Sequence, residues 1–366
     1  MKCIQINGLR IDSKIRFVAK HGEYEFEFIF CPYSEYLKIQ NKFINPYDIE
    51  ECKTVVIYSS MGNNSIETYY IKVFISMLYF AYRIQVEEQR EKKFYSDPLY
   101  STLGVQMMNE RYRKHESPHV KNWNLRGFWN DGYINNIHWC IKLGKNEMTC
   151  DDFESYLTRA YGGDLCDSYD TRYLFWSKDE EIEVDDELID IIGTLNGMIN
   201  EESEFGNKLK SALRLYYELF MIYSNMNISI ITISTILETL LLGEDEDNQR
   251  KKVSVRSACL LFEHMEKKWK TSLADSIYFF YKYRNAIVHR GKNYLDFDEV
   301  QLNNVTENMK HVILGLVYYY YKNKPQHLDD IKDCVIRSFT TDGISNAFEY
   351  ISPDANETYH LLLPED

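Results

Sequence analysis

Chain breakers are scarce in this sequence. Seven Pro and 16 Gly in 366 residues exclude a collagen-like, linker or low-complexity protein. Long apolar runs are missing too. A bilayer-spanning helix needs about 20 apolar residues, and the nearest stretch, Ile228 to Leu242, carries Glu238 within it. The start, Met1-Lys2-Cys3-Ile4-Gln5, leads into alternating polar and apolar residues with no continuous apolar region, so no signal peptide is expected. The Cys residues, at positions 3, 31, 52, 140, 150, 166, 259 and 334, form no Cys-x-x-Cys pair. That argues against a zinc ribbon or disulfide framework and for reduced thiols in the cytoplasm, with no membrane partner. There is no G-x-G-x-x-G, Walker loop, H-E-x-x-H or G-x-S-x-G, which weakens nucleotide-hydrolase, metalloprotease and esterase readings together. His115 and His119 stand four apart, but Pro118 between them prevents a regular helical pair. No metal and no cofactor are expected.

What is present is core material: 45% apolar residues, 15% aromatic, with 30 Tyr. A single core stops growing past roughly 250–300 residues, so two domains are expected. The net charge of −14 opposes non-specific coating of nucleic acid. The charge is uneven, however. Between Arg250 and Lys292 eleven Lys/Arg face three Asp/Glu, a basic island suited either to a polyanion or to solvated helix faces.

The first third reads as strands. Lys14 to Phe30 holds two alternating runs around Lys20-His21-Gly22-Glu23, a hairpin signal. Thr54 to Ser59 is β-branched, and Glu67 to Ser76 continues in β-favouring residues before a helical period from Met77 to Phe94. In residues 96–180, Trp123, Trp129, Trp139 and Trp176 suit short strands and turns. The acidic run Asp179 to Glu187 reads as an exposed connection or helix start and as the domain boundary. Beyond it, helices are expected over 186–200, 208–224, 230–242, 253–268, 272–289 and 298–322, with Gly243 and Gly291 just past two of them. The expected organisation is α+β: a strand-rich N-terminal domain (1–180) with a sensing or regulatory role, an all-α helical bundle (187–325), and a mixed tail (326–366).

One segment in the basic island stands apart: Tyr283-Arg284-Asn285-Ala286-Ile287-Val288-His289-Arg290-Gly291. Arg284 and His289 are separated by four positions near the end of an expected helix. Arg16/His21 and Arg113/His119 have comparable spacings, but the first pair lies in the expected hairpin and the second abuts Pro118. Upstream, in order, stand Ile236-Leu237-Glu238-Thr239-Leu240-Leu241 and Arg256, before Tyr281-Lys282-Tyr283-Arg284. Over residues 205–325 this order resembles the HEPN superfamily, and within it the Apea-like HEPN group of bacterial anti-phage defence. The resemblance implies a helical bundle, a homodimer and a metal-independent endoribonuclease, a toxin acting in abortive infection on tRNA or mRNA. A phage-derived trigger or an antitoxin would be a further partner. HEPN toxins paired with a nucleotidyltransferase carry a Tyr two residues after the His. That position here is Gly291, so control by adenylylation is not expected there, although Tyr294 is near enough to leave the question open.

The chemistry fits these residue types. His289 in the last turn, where the negative end of the helix dipole favours imidazolium, can exchange protons with a ribose 2′-OH or a leaving 5′-oxygen. Arg284 can hold the scissile phosphate, and Asn285 adds a hydrogen bond. Glu238, Arg256 and Tyr283 are candidate orienting residues, with Arg256 or Arg284 the partner of Glu238. Lys282, Arg290 and Lys292 are candidate RNA contacts. Five helical residues turn through about 140°, so Arg284 and His289 do not share one narrow face. A single protomer therefore makes a poor site unless the helix loosens near its end; the HEPN resemblance implies instead a cleft that combines Arg and His from both chains of a dimer. Two other readings stand: a non-catalytic HEPN RNA-binding or dimerisation module, and a binding protein acting through its Trp-rich N-terminal half.

Overall fold

The computed structural model describes residues 2–7, 9–35, 52–59, 61–96, 168–170, 181–221, 226–263, 265–297 and 299–353. The architecture is α+β, and the chain forms two compact units that divide after Asn200.

The first unit is a sheet covered by helices. Its strands are β1 (Lys2–Asn7), β2 (Ile15–His21), β3 (Tyr24–Pro32), β4 (Cys52–Tyr58) and β5 (Ser168–Asp170), in the order β2-β3-β4-β1-β5. All neighbours are antiparallel except β1 and β5. The expected hairpin is present: His21 pairs with Tyr24, and Gly22 takes the positive φ of 61° that a two-residue loop requires. Register sets the faces. Ile15 lies opposite Phe30, Phe17 opposite Phe28, Phe28 opposite Tyr58, and Ile4 opposite Val56, so these rings and branched chains share one buried face. The other face carries a smaller buried group, Cys31, Val55 and Ile57.

Helix α1 (Asn64–Ser96) covers the aromatic face. Phe74 stacks on Phe17 with centroids 4.8 Å apart and meets Phe28 at 5.2 Å. The expectation of a β segment over Glu67–Ser76 is thus corrected. The helix starts at Asn64 because the Asn63 side chain accepts the amides of Ser65 and Ile66. Burial of Tyr70, Ile71, Val73, Phe74, Ile75, Met77 and Leu78 then outweighs the β-propensity of the same residues. Helix α2 (Asp186–Asn200) packs on α1 and on β2. Its Asn200 accepts from the Lys20 amide at 2.9 Å and donates to the Val18 carbonyl at 2.7 Å. The Asn196 amide, turned to satisfy both partners, meets the carbonyl and amide of Val18. The outward backbone groups of edge strand β2 are therefore closed by side-chain amides.

The boundary expected at residues 179–187 is corrected as well. Ile182 is buried and pairs with Ile11, Val184 donates to Asp12, and Asp185 caps α2 while accepting from Gln85. The acidic run is stitched to the first unit, and α2 belongs there. The expected Trp123, Trp129, Trp139 and Trp176 anchors lie outside the described residues.

The second unit is a bundle of α3 (Glu204–Met221), α4 (Met226–Leu241), α5 (Gln249–Leu261), α6 (Lys267–Arg290), α7 (Glu299–Asn323) and α8 (Leu328–Asp342). Helix α4 is central: it packs against α3, α5, α6 and α7, and Ile230, Ile233, Ile236, Leu237, Leu240 and Leu241 are buried. The tail expected to be mixed instead supplies α8 and a 3-10 turn (Ala347–Tyr350), fastened through the buried Lys270, whose ammonium lies 2.9 Å from Asp342. Among the described residues no helix is long and apolar enough to cross a membrane.

Candidate functional site

Helix α6 stays helical through Arg290 and ends at Gly291, which adopts φ 64°; an L-residue pays for that conformation and Gly does not. The amides of Gly291 and Lys292 both reach the Ala286 carbonyl. The chain then turns through a 3-10 segment, Tyr294–Asp296, closed by reciprocal bonds between Asn293 and Asp296. The Tyr294 amide donates to Asn227 at the start of α4, and Phe297 meets Tyr283 edge-on at 5.0 Å. The turn after α6 is thus tied to the start of α4 and packed back onto α6.

Along this helix Arg284 and His289 come together within one chain. The Arg284 guanidinium lies 3.5 Å from His289 Nε2 and 3.2 Å from Asn285 Oδ1. The angular separation is bridged by reach: five residues rise only about 7.5 Å, which a long Arg side chain spans. The expectation that a single protomer makes a poor site is therefore not needed to explain the pair. Arginine can only donate, so the contact is a hydrogen bond only in the tautomer that leaves Nε2 without a proton. Arg284 Nε is buried and has no hydrogen-bond partner. An orphaned buried donor is costly, and this one is closed off from solvent and from a ligand.

Glu238 on α4 lies 4.0 Å from Arg284, so of the two partners considered the structure selects Arg284. Burial raises the Glu238 pKa; the Arg284 charge and a hydrogen bond from Tyr281 oppose that rise. Tyr281, fully within the core, has its own pKa pushed well up by burial and by the Glu238 charge. Its hydroxyl also sits 3.4 Å from the Ser234 carbonyl. Tyr281 opens the Tyr281-Lys282-Tyr283-Arg284 stretch quoted from the sequence but is given no role there, although its place one turn before Arg284 was a usable signal.

Arg256 works elsewhere. It donates to the Leu241 carbonyl at 2.6 Å and pairs with Glu246 at 2.7 Å. Lys208 donates to the Leu242 carbonyl and Tyr320 to that of Leu240. Two cations and a hydroxyl thus satisfy the last carbonyls of α4. Arg256 fixes the helix that carries Glu238 without touching Glu238. Tyr283 is buried between Phe279 and Phe297 and supports the helix by packing.

Of the expected RNA contacts, Arg290 is exposed and Lys292 half-buried at the helix end, beside His289. Lys282 is corrected: it is 4% exposed, over the rings of Tyr278 and Phe279. Burial, helped by Arg250, lowers its pKa to about 8. The sign follows. Between about pH 8 and 10.5 the unfolded chain binds the proton that the folded chain releases, so this residue's contribution to stability rises with pH across that window. Below it the buried ammonium costs up to about 3 kcal/mol. Lys282→Met is expected to stabilise the protein at pH 7 by about 1–3 kcal/mol and to flatten the difference above pH 8. Urea melts of parent and variant at pH 7 and pH 10 check this.

Arg16 of the competing Arg16/His21 spacing lies on β2 and pairs with Glu27 at 2.7 Å. Arg113, His115 and His119 lie outside the described residues. Among the described residues no three His, Cys, Asp or Glu stand together as metal ligands. Comparison with protein-family models, with curated proteins and with solved structures finds no match.

Proposed function

We propose that the chain is a metal-independent endoribonuclease of the HEPN type, with Arg284, His289 and Asn285 as its catalytic residues. The observation that carries this reading is the contact of the Arg284 guanidinium with His289 Nε2 near the end of α6. A phosphodiester placed beside that contact meets the guanidinium and the imidazole together. His289 takes the proton of the 2′-OH as that oxygen attacks phosphorus. The P–O5′ bond breaks, the 5′-oxygen gains a proton, and the products carry a 2′,3′-cyclic phosphate and a 5′-OH. Arg284 offsets the charge that gathers on the non-bridging oxygens. The RNA supplies its own nucleophile. The test is incubation of purified protein with total tRNA in EDTA, beside Arg284→Ala and His289→Ala, with analysis of product ends. The reading fails if either variant cuts as fast as the parent, or if products lack the cyclic phosphate.

The proposal includes a homodimer. Ile228, Ile231, Val288 and Leu295 are large apolar residues exposed to solvent. Ile228 and Ile231 stand two to three turns before Glu238 on α4, while Val288 and Leu295 flank the end of α6. A second copy of this chain on that surface brings two Arg–His pairs close to one axis. Ile231→Asp combined with Val288→Asp is expected to weaken self-association at least ~100-fold, read by light scattering across a dilution series. The same apolar rim favours the second reading, a non-catalytic RNA-binding or dimerisation module. A dimer that binds RNA but yields no cyclic-phosphate ends would select that reading. The role in anti-phage defence rests on the resemblance.

A further inference from the structure

We infer that the Arg284–His289 contact is a proton-operated latch: it holds the guanidinium while His289 Nε2 is unprotonated, and a proton arriving there releases Arg284 to an oxyanion. The latch rests on geometry; its use in catalysis rests on the nuclease reading above.

One amino group of Arg284 is shared between two acceptors. Nη1 lies 3.2 Å from Asn285 Oδ1 and 3.5 Å from His289 Nε2, while Nη2 faces the Glu238 carboxylate at 4.0 Å. These acceptors differ in kind. The amide oxygen of Asn285 accepts at every pH, whereas imidazole accepts only through an unprotonated nitrogen, and both nitrogens of imidazolium donate. Once Nε2 gains a proton, the contact sets donor against donor and cation against cation. The guanidinium must then leave Nε2, and without RNA the carboxylate it turns to is Glu238.

In cleavage the proton comes from the ribose 2′-OH. As the 2′-oxygen bonds to phosphorus, that proton passes to Nε2; the P–O5′ bond breaks, and the 5′-oxygen takes up a proton. Charge collects on the non-bridging oxygens in the same step that Nε2 stops accepting. Arg284 loses a competing acceptor just as the phosphate becomes a better one, so its hold on the substrate tightens towards the transition state.

Other titratable and charged groups share this end of the bundle. They are Glu238 on α4, Tyr281, Arg290 and Lys292 at the end of α6, and Tyr294 and Asp296 on the turn beyond. Asp296 is held by the Asn293 amide at 2.7 Å, and Tyr281 is buried with its pKa pushed well up. Glu238 faces Arg284 directly, and burial raises its pKa against the Arg284 charge. The experiment must therefore separate Glu238 from His289.

NMR couplings between ring protons and ring nitrogens give the His289 tautomer and its titration midpoint in the full chain. Crystals of parent and His289→Gln, free of RNA, are then equilibrated well above and well below that midpoint. Gln keeps an acceptor at similar reach and does not titrate. The expected parent has a neutral ring with Nε2 unprotonated and Arg284 in contact. In acid the separation widens by about 1 Å or more, beyond hydrogen-bond range, and the guanidinium turns to Glu238. In His289→Gln it stays in place at both pH values. A neutral ring protonated on Nε2 overturns the inference, and so does an Arg284 that keeps its place in the parent. Movement that persists in His289→Gln assigns the switch to Glu238 and also overturns it. None of these outcomes depends on cleavage: if the parent cuts no RNA, the nuclease reading falls and the crystals still decide the latch.

Discussion

Arg284→Ala and His289→Ala are each expected to lower cleavage by about 10²–10⁴-fold, with the fold and the oligomeric state retained. His289 lies at the exposed end of α6 and Arg284 is partly buried a turn earlier; neither belongs to the core that α6 builds from Leu273, Ala274, Ile277, Phe280 and Tyr281. The two losses differ in kind. Removing the guanidinium leaves the phosphate without its cation, so KM and kcat both suffer. Removing the imidazole takes away proton transfer alone, and kcat falls with RNA affinity nearly intact. The double variant should be little worse than the poorer single one, because the pair acts on one phosphate. Single-turnover cleavage and filter binding on the same preparations separate these effects. Additive losses would mean that the two residues serve different steps.

Asp342→Ala is expected to destabilise the second unit by about 3–5 kcal/mol, the largest effect on stability anticipated away from the site. The Lys270 ammonium is wholly buried, 2.9 Å from Asp342, and the Tyr350 hydroxyl donates to the same carboxylate at 2.6 Å. Removing the carboxylate strands a charge and a phenol in a dry interior. Replacing both partners with apolar residues of similar size, Lys270→Met with Asp342→Leu, should restore most of the loss, because no charge is left behind. Calorimetry that resolves the two units reads both variants. Equal losses in the single and double variants would show that the cost comes from packing and not from the stranded charge.

Local patterns in the sequence were good guides wherever neighbours along the chain decide the outcome. The β2–β3 hairpin and the six helices from Asp186 to Asn323 follow from alternation, from apolar positions three and four apart, and from Gly22 and Gly291. The Arg284, Asn285 and His289 cluster was legible for the same reason: one helix end carries all three. Non-local decisions were not legible. The first turns of α1 are rich in Ile, Val, Tyr and Phe, and only the sheet beneath them makes those residues helical. The run around Ile182 looks solvated until Ile11, Asp12 and Gln85 are brought to it. Order along the chain leaves Glu238 two possible partners, Arg256 and Arg284, because it does not show that Glu246, in the loop before α5, reaches Arg256 first. Lys282 reads as a surface cation because most lysines are. Its burial against Tyr278 and Phe279 needs the bundle to be built.

The amides of Asn196 and Asn200 on the backbone of β2 carry a consequence for the order in which this chain is made. A ribosome delivers β1 to β4 and α1 by residue 96, enough for a sheet with one face already covered. The residues that seal its open edge come about 100 positions later, roughly 5–20 s at ordinary synthesis rates. During that interval the nascent sheet offers the Val18 and Lys20 backbone groups to any strand that passes, including one from a neighbouring ribosome on the same message. Closure by α2 ends that exposure before α3, which begins at Glu204, emerges. The bundle that carries the Arg284–His289 pair is therefore made after that edge is closed.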